Sequence, residues 1–345
     1  MKDKQVEIPR WCAALWLFGP YAFACSIIAL FSEHVLPDLL IILFLICGQI
    51  GQILYAPCIH SFAGGLMCSF AMFSLCLLGK GMTCGPIRSM ITMELVMNGG
   101  FRYVHLLSDD ALRSRSFTHR LAFVTIFSDV QSAKYVDTTT AWVHLRKILR
   151  HTIVAVLIAT STWLALAYVD FAALNVASVF GITPEIFPRV FLGALLIYSS
   201  LTIIDGVYRG SLLLVRPFGI LCESAMDEPY FATSFANFWG KRWDKPMQTI
   251  LYYGTYQPVR KFCGSTAVAV LATFVVSGVV HTLGVAACGW VSLETCAMMM
   301  SFFGVHAVFV LLEGIWKQQG IIVTQTLCWL SAPLFVLPFL KLLKL

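Results

Sequence analysis

The stretch FCGSTAVAVLATFVVSGVVHTLGVAACGW, residues 262–290, contains no Asp, Glu, Lys or Arg. An α-helix needs about 20 mostly apolar residues to cross the hydrocarbon core of a bilayer. This run supplies them, and a membrane helix is the reading it imposes. It also holds one ionisable side chain, His281, about two-thirds of the way along. Ionisable groups inside a membrane are rare and are functional candidates by default. Gly278 and Gly284 flank it at i−3 and i+3, neighbouring positions on a helix surface. Missing side chains there let a substrate or a second helix approach the imidazole. A histidine hydrogen-bonded to a neighbouring helix fits the same pattern, and these residues leave both readings open.

Working outward, the whole chain repeats the pattern. Of its 345 residues 59% are hydrophobic and only 12% charged, and the mean hydropathy is +0.80. Soluble domains are nearer half apolar. Long uncharged runs occur at roughly 12–31, 39–57, 61–79, 152–171, 190–208, 264–286, 295–312 and 321–340. They predict an all-α polytopic membrane protein, a single domain over 1–345 with about eight transmembrane helices in the lipid bilayer. Asp205 interrupts the fifth run, which makes it the weakest. The first follows a basic start, MKDKQVEIPR, and is too long for a signal peptide, so it reads as a retained span. The twelve cysteines are scattered without a C-x-x-C pair, as expected of small buried hydrophobes rather than a disulfide framework or zinc site.

Eight spans place both termini on one side. The connections on the opposite side carry 18 Lys and Arg against 6 on the side of the termini. The positive-inside rule makes the two large loops cytosolic. Within the first of them, DTTTAWVHLRKILRH (137–151) reads as an interfacial amphipathic helix, with Asp137 or a following threonine as its cap. Trp142, Leu145, Ile148 and Leu149 would share the apolar face, opposite Arg146, Lys147 and Arg150. A solvated helix leading into the fourth span accounts for it equally well.

The second large loop contains FANFWGKRWDKPMQTILYYG (235–254), where Trp239, Lys241, Arg242, Trp243, Asp244 and Lys245 crowd together just before the sixth span. Aromatic residues favour the membrane interface, and Lys and Arg can meet phosphates. A plain interfacial belt would look much the same. FWGKRWD followed by S-G-x-x-H at 277–281 resembles the wax synthase-like branch of the membrane-bound O-acyltransferases (MBOAT), and is similar to the fungal O-acetyltransferases of terpenoid and meroterpenoid secondary metabolism. Members typically carry an F-W-G-[KR]-R-W block and then an intramembrane histidine. The likeness is concentrated in a core region over roughly 231–290. Relatives often have Asn or His where this chain has Asp244, and MNGGFRY (97–103) stands where an R-G-x-G stretch is often found.

The resemblance implies acyl transfer from an acyl-CoA to the hydroxyl of a hydrophobic alcohol. A neutral histidine suits removal of the hydroxyl proton, so His281 is the expected catalytic base, with Asp244 or Asn237 orienting the imidazole or the substrate. Lys241, Arg242 and Lys245, with Trp239 and Trp243, would bind the polyanionic CoA from the cytosol. The expected co-substrate is acyl-CoA, with acetyl-CoA favoured. No permanently bound cofactor, no metal and no nucleic-acid partner are expected. The acceptor favoured by resemblance is a terpenoid alcohol, the alternative a long-chain wax ester or sterol ester, and the compartment the endoplasmic reticulum with the motif loop cytosolic.

Rival patterns are weaker. His34–Asp38, His105–Asp109 and His105–Asp110 fit H-x-x-x-D or H-x-x-x-x-D, patterns that arise readily by chance. No G-x-S-x-G points to a serine hydrolase, and no second ligand stands at helical spacing from His281 for zinc. A transporter would use Asp205, His281, His306 and Glu313 as an intramembrane polar path, but no internal repeat accompanies them. His306 fits a packing role better than a place beside His281.

Overall fold

The computed structural model describes residues 25–26, 28–29, 34–55, 102–125, 129–170, 186–214, 220–287, 292–316 and 320–343. In chain order the elements are α1 (Val35–Tyr55), α2 (Arg102–Ser108), α3 (Asp110–Arg113), α4 (Phe117–Thr125), β1 (Asp129–Tyr135), α5 (Thr138–Tyr168), α6 (Ile186–Leu214), β2 (Ile220–Glu223), α7 (Phe235–Asn237), α8 (Lys245–Leu251), α9 (Gln257–Cys263), α10 (Thr266–Ala287), α11 (Leu293–Trp316) and α12 (Gly320–Leu343). A 3₁₀ turn covers Pro229–Phe231, and π-helical turns cover Phe238–Arg242 and Tyr252–Tyr256. Helix dominates, as the apolar periodless runs require, with two short strands added.

Among the described residues, four stretches are long and apolar enough to cross a membrane: Thr138–Tyr168, Ile186–Val207, Leu293–Ile315 and Gly320–Lys341. Shorter apolar helices run over Val35–Gly48 and Thr266–Thr282. The chain is an integral membrane protein. Six of the predicted spans fall largely on α1, α5, α6, α10, α11 and α12. The span at 61–79 lies outside the described residues, as does nearly all of 12–31.

The chain divides into two compact units. One comprises Tyr135–Trp243 and Ser292–Leu345. In it α5 packs on α6, α6 on α12, and α11 on α12, with β2 beside α6. Leu166, Val190, Val336 and Leu340 form one buried cluster. A Cβ at Gly193 would overlap Val336, and one at Gly206 would overlap the Thr152 hydroxyl. Glycine at those two positions lets the helices come together.

One expectation is corrected in this unit, and the weakest of the predicted spans is borne out. The segment 137–151 is not a separate interfacial helix but the start of the 31-residue α5. No Pro or Gly breaks the helix near residue 151, so nothing stops it running on. Asp137 is the cap: its carboxylate accepts from Thr140 N at 2.8 Å and from the Thr140 hydroxyl at 2.9 Å. Those bonds hold its carboxyl below the usual carboxylate range. The buried stripe is Ala141 and Ile148, packed with Leu213 and flanked by Leu145, whereas Trp142 and Leu149 are exposed. Asp205 does not end the fifth span either. Its buried carboxylate accepts from Arg209 Nε at 2.8 Å, Ser224 Oγ at 2.9 Å and Ala225 N at 3.2 Å. Pairing of this kind is what makes a buried charge tolerable, and α6 runs on to Leu214.

The other unit comprises Met1–Lys134 and Asp244–Val291. Here α10 packs against α9 and the Tyr252–Tyr256 turn, and α1 against α4. Arg102 Nη1 donates to Phe123 O at 2.8 Å. The buried His105 ring stacks on Tyr253 with centroids 4.4 Å apart and meets the edge of Phe123 at 5.2 Å. The neighbouring carboxylates serve local structure. Asp109 caps α3 through Ala111 N at 2.9 Å and Leu112 N at 3.2 Å, and Asp110 pairs with Arg113.

Burial pushes the His105 imidazole down from 6.5 to about 4, with the Asp109 charge opposing and Arg102 adding to the effect. The folded chain therefore keeps this ring neutral where the unfolded chain takes up a proton. Stability from this source is intact above pH 6.5 and is lost as pH falls towards about 4. In detergent, the apparent melting midpoint of wild type should fall through that window. His105→Phe, which preserves the stack on Tyr253, should flatten the fall. Parallel curves for the two proteins would contradict this assignment.

Candidate active site

The aromatic–basic block is helical, not the loop expected for it. Ser234 starts it: its Oγ accepts from Asn237 N at 3.0 Å. Glu313 of α11 completes the start by accepting from the backbone N–H of Phe235 and, at 2.9 Å, of Ala236. A carboxylate at the positive end of a helical run satisfies donors that have no intrahelical partner. Phe238–Arg242 then forms a π turn, closed by Trp243 N donating to Phe238 O at 2.9 Å. Such turns are frequent at functional sites. The turn stacks Phe238 on Trp243 at 5.4 Å, with Trp239 edge-on to Phe238 at 5.1 Å.

Within this turn the two basic residues part company. Lys241 is exposed. Arg242 points back into its own unit: Nε donates to Asn237 Oδ1 at 2.8 Å, and Nη1 donates to the carbonyls of Asp227 at 3.0 Å and Glu228 at 3.2 Å. Asn237 thus orients Arg242.

Trp239 joins the block to α11 and, through His306, to α12. Its indole N–H donates to His306 Nδ1 at 2.8 Å, and His306 Nε2 lies 2.8 Å from Ser331 Oγ on α12. Phe235, Phe302 and Phe309 surround the buried His306 ring, with centroids at 5.4, 4.3 and 5.9 Å. Sequence reading left His306 to packing and missed both Ser331 and the capping use of Glu313. Trp239 and His306 are 67 residues apart, so no local spacing could have paired them.

Asp244, Lys245 and His281 belong to the other unit, whereas Asn237, Trp239, Lys241, Arg242 and Trp243 belong to the one just described. Asp244 has a left-handed backbone, φ 46° and ψ 63°, and its carboxylate caps α8 by accepting from Met247 N at 3.2 Å. Asn, Asp and His are the non-glycine residues enriched in that conformation. The resemblance expects the same residue types at this position, in keeping with that backbone. Asp244→Asn should keep most of the wild-type melting midpoint and activity. Asp244→Ala, losing the cap and its tolerance of positive φ, should cost about 1–2 kcal/mol. Equal losses in the two variants would show instead that the negative charge matters.

His281 is half-buried on α10, and its Nδ1 lies 2.8 Å from Ser277 O. A carbonyl oxygen can only accept, so Nδ1 carries the hydrogen and the basic lone pair of the neutral ring sits on Nε2. That is the protonation state a general base needs. Among the described residues, no group of three or more His, Cys, Asp or Glu side chains is placed to hold a metal ion.

Residues 222–305, which include the block, His281 and most of α11, match the profile of the membrane bound O-acyl transferase family. The chain is similar to the long-chain-alcohol O-fatty-acyltransferase of Simmondsia chinensis, 44% identical over 62 residues, or 16% of this chain and 18% of that protein. It is also similar to the probable long-chain-alcohol O-fatty-acyltransferases 6 and 9 of Arabidopsis thaliana. The first is 39% identical over 66 residues, covering 18% of this chain and 19% of the relative. The second is 35% identical over 94 residues, covering 25% and 27%. The match therefore spans about a fifth to a quarter of the length of these curated relatives.

Proposed function

We propose that the protein is a membrane-bound O-acyltransferase of the wax synthase-like branch, moving an acyl group from an acyl-CoA to the hydroxyl of a hydrophobic alcohol. The observation that carries this reading is His281: an imidazole inside an apolar helix, its Nδ1–H fixed on Ser277 O, following the FWGKRW block. His281 Nε2 takes the proton of the alcohol as its oxygen attacks the thioester carbonyl. The tetrahedral intermediate then collapses, the C–S bond breaks, and the departing CoA sulfur receives that proton. An ester and free CoA leave. The thioester is already activated, so one well-placed base supplies the main chemical requirement.

Lys241 and Lys245 are the cations we assign to the CoA phosphates, and Trp239 and Trp243 are the aromatic residues we assign to CoA binding. Arg242 and Asn237 give the block its shape, and Asp244 sets the backbone that follows. The excess of Lys and Arg in the large connections supports a cytosolic block, and the endoplasmic reticulum is the compartment we propose alongside the sequence resemblance.

The names of the similar plant proteins carry long-chain alcohols and fatty acyl groups, so a fatty acyl-CoA and a long-chain alcohol are the first pair to assay. Acetyl-CoA with a terpenoid alcohol, favoured by the sequence resemblance, is the competing pair. The test uses membranes of a host expressing the chain, supplied with labelled acetyl-CoA or palmitoyl-CoA and each alcohol in turn. Ester that depends on the chain supports the reading, and the donor that gives it sets acyl length. No ester from any pair would sink it. The transporter reading loses ground for a separate reason: Asp205, His306 and Glu313 are each held by named groups of their own unit, which a mobile ion path would have to break.

A further inference from the structure

We propose that His306 is a positioning residue, which with Ser331 seats the Trp239 indole and so holds the FWGKRW turn in its working shape. An indole nitrogen can only donate, so the 2.8 Å contact from Trp239 Nε1 makes His306 Nδ1 an acceptor. The neutral ring then carries its hydrogen on Nε2, which donates to Ser331 Oγ at 2.8 Å. Ser331 passes its own hydrogen to the helix carbonyl of Leu327 or Cys328, each at 3.0 Å. The chain of donors runs one way, from the block through α11 to α12, and every link is satisfied.

This is the opposite tautomer to His281, whose hydrogen is on Nδ1. The histidines of α10 and α11 are therefore not interchangeable. To act as a base, His306 would have to release Trp239, because its lone pair already receives the indole hydrogen. The same seat is reinforced nearby: Glu313 holds the start of α7, and Gln325 of α12 donates to Pro229 O at 3.0 Å. A segment of 15 residues, Pro229–Trp243, is thus fastened to two membrane helices by three side chains, with His306 the deepest.

The kinetic consequence rests on the acyltransferase reading, and the spectroscopic one does not. The ultraviolet resonance Raman band of the Trp239 indole N–H is identified by its loss in Trp239→Phe. It should move to the position of an unbonded indole in His306→Phe, a substitution that leaves an aromatic ring among Phe235, Phe302 and Phe309. It should return in His306→Asn, whose amide oxygen stands near the place of Nδ1. Alongside, His306→Phe should raise the KM for acyl-CoA roughly tenfold, the weight of one hydrogen bond. Its kcat should stay within about threefold and its pH–rate profile should not move, since uniform binding is what is lost.

An unmoved band in His306→Phe overturns the proposal. So does a hundredfold fall in kcat with an altered pH profile, which would make His306 the base. If the band moves and returns as expected while wild type forms no ester, the positioning role stands and the acyltransferase reading fails. If His306→Phe does not accumulate, Ser331→Ala decides: a shifted band with a two- to threefold higher acyl-CoA KM supports the relay, and an unshifted band overturns it.

Discussion

His281→Ala is expected to lose at least a hundredfold in kcat while the protein still inserts and accumulates at the wild-type level. A positioned general base typically contributes 10²–10⁴-fold, and His306 has its lone pair on the other ring nitrogen. His306 holds its hydrogen on Nε2 because Trp239 occupies Nδ1, so it cannot stand in. The loss should fall on kcat and kcat/KM together, leaving the KM for acyl-CoA nearly unchanged, because proton removal belongs to the transition state. His281→Gln should be as inactive as His281→Ala, since an amide can donate to Ser277 O but cannot take a proton. A His281→Ala variant keeping more than about a tenth of wild-type turnover would remove His281 from the mechanism.

Arg242→Ala should be the next most damaging change, and for a different reason from Lys241→Ala. The Arg242 guanidinium makes hydrogen bonds to Asn237 Oδ1 and to the carbonyls of Asp227 and Glu228. Asp227 N in turn donates to Arg242 O at 2.8 Å. Removing the side chain takes a charged donor from three acceptors at once, leaving Thr233 N on Asn237 Oδ1 at 3.4 Å and Phe231 N on Glu228 O at 2.9 Å. Hydrogen bonds to charged groups contribute about 1.5–3 kcal/mol. A net loss of about 2 kcal/mol would lower kcat/KM roughly thirtyfold and depress the melting midpoint. Arg242→Lys should not restore it, because an ammonium cannot reproduce the planar fork. Lys241→Ala should leave the midpoint alone and raise the KM for acyl-CoA a few-fold, an effect that added salt should mask. If Arg242→Ala behaved like Lys241→Ala, with an unchanged midpoint, Arg242 would be a phosphate ligand after all, as the sequence alone suggested.

That contrast shows where sequence reading reaches and where it stops. The membrane helices were legible because apolar length is a local property: each run of about 20 residues states its own solvent. His281 was legible for the same reason, standing in a run that has no Asp, Glu, Lys or Arg. What the sequence could not show is direction. Lys241 and Arg242 are adjacent and carry the same charge, yet one is exposed and the other turns inward to Asn237, and only the π turn separates them. Asp244 looked like a candidate partner for an imidazole, but its left-handed backbone and its bond to Met247 N assign it to a helix start. Glu313 and His306 looked like members of a polar path, and their partners lie 67 to 78 residues away in the chain. The stretch at 137–151 reads equally as an interfacial helix or as a lead into the fourth span, because its opposed apolar and basic faces give way to an uncharged run after residue 151. The backbone takes no notice of that change, and only Pro or Gly would have broken it.

The most direct measurement is a stoichiometric one on the purified full chain in nanodiscs. The protein is given a fatty acyl-CoA and a long-chain alcohol, and ester, free CoA and free fatty acid are quantified together. The account predicts one ester formed for each CoA released, no accumulation of free acid, and both products lost together in His281→Ala. Free CoA and free acid without ester, or ester formation unaffected by His281→Ala, would contradict it.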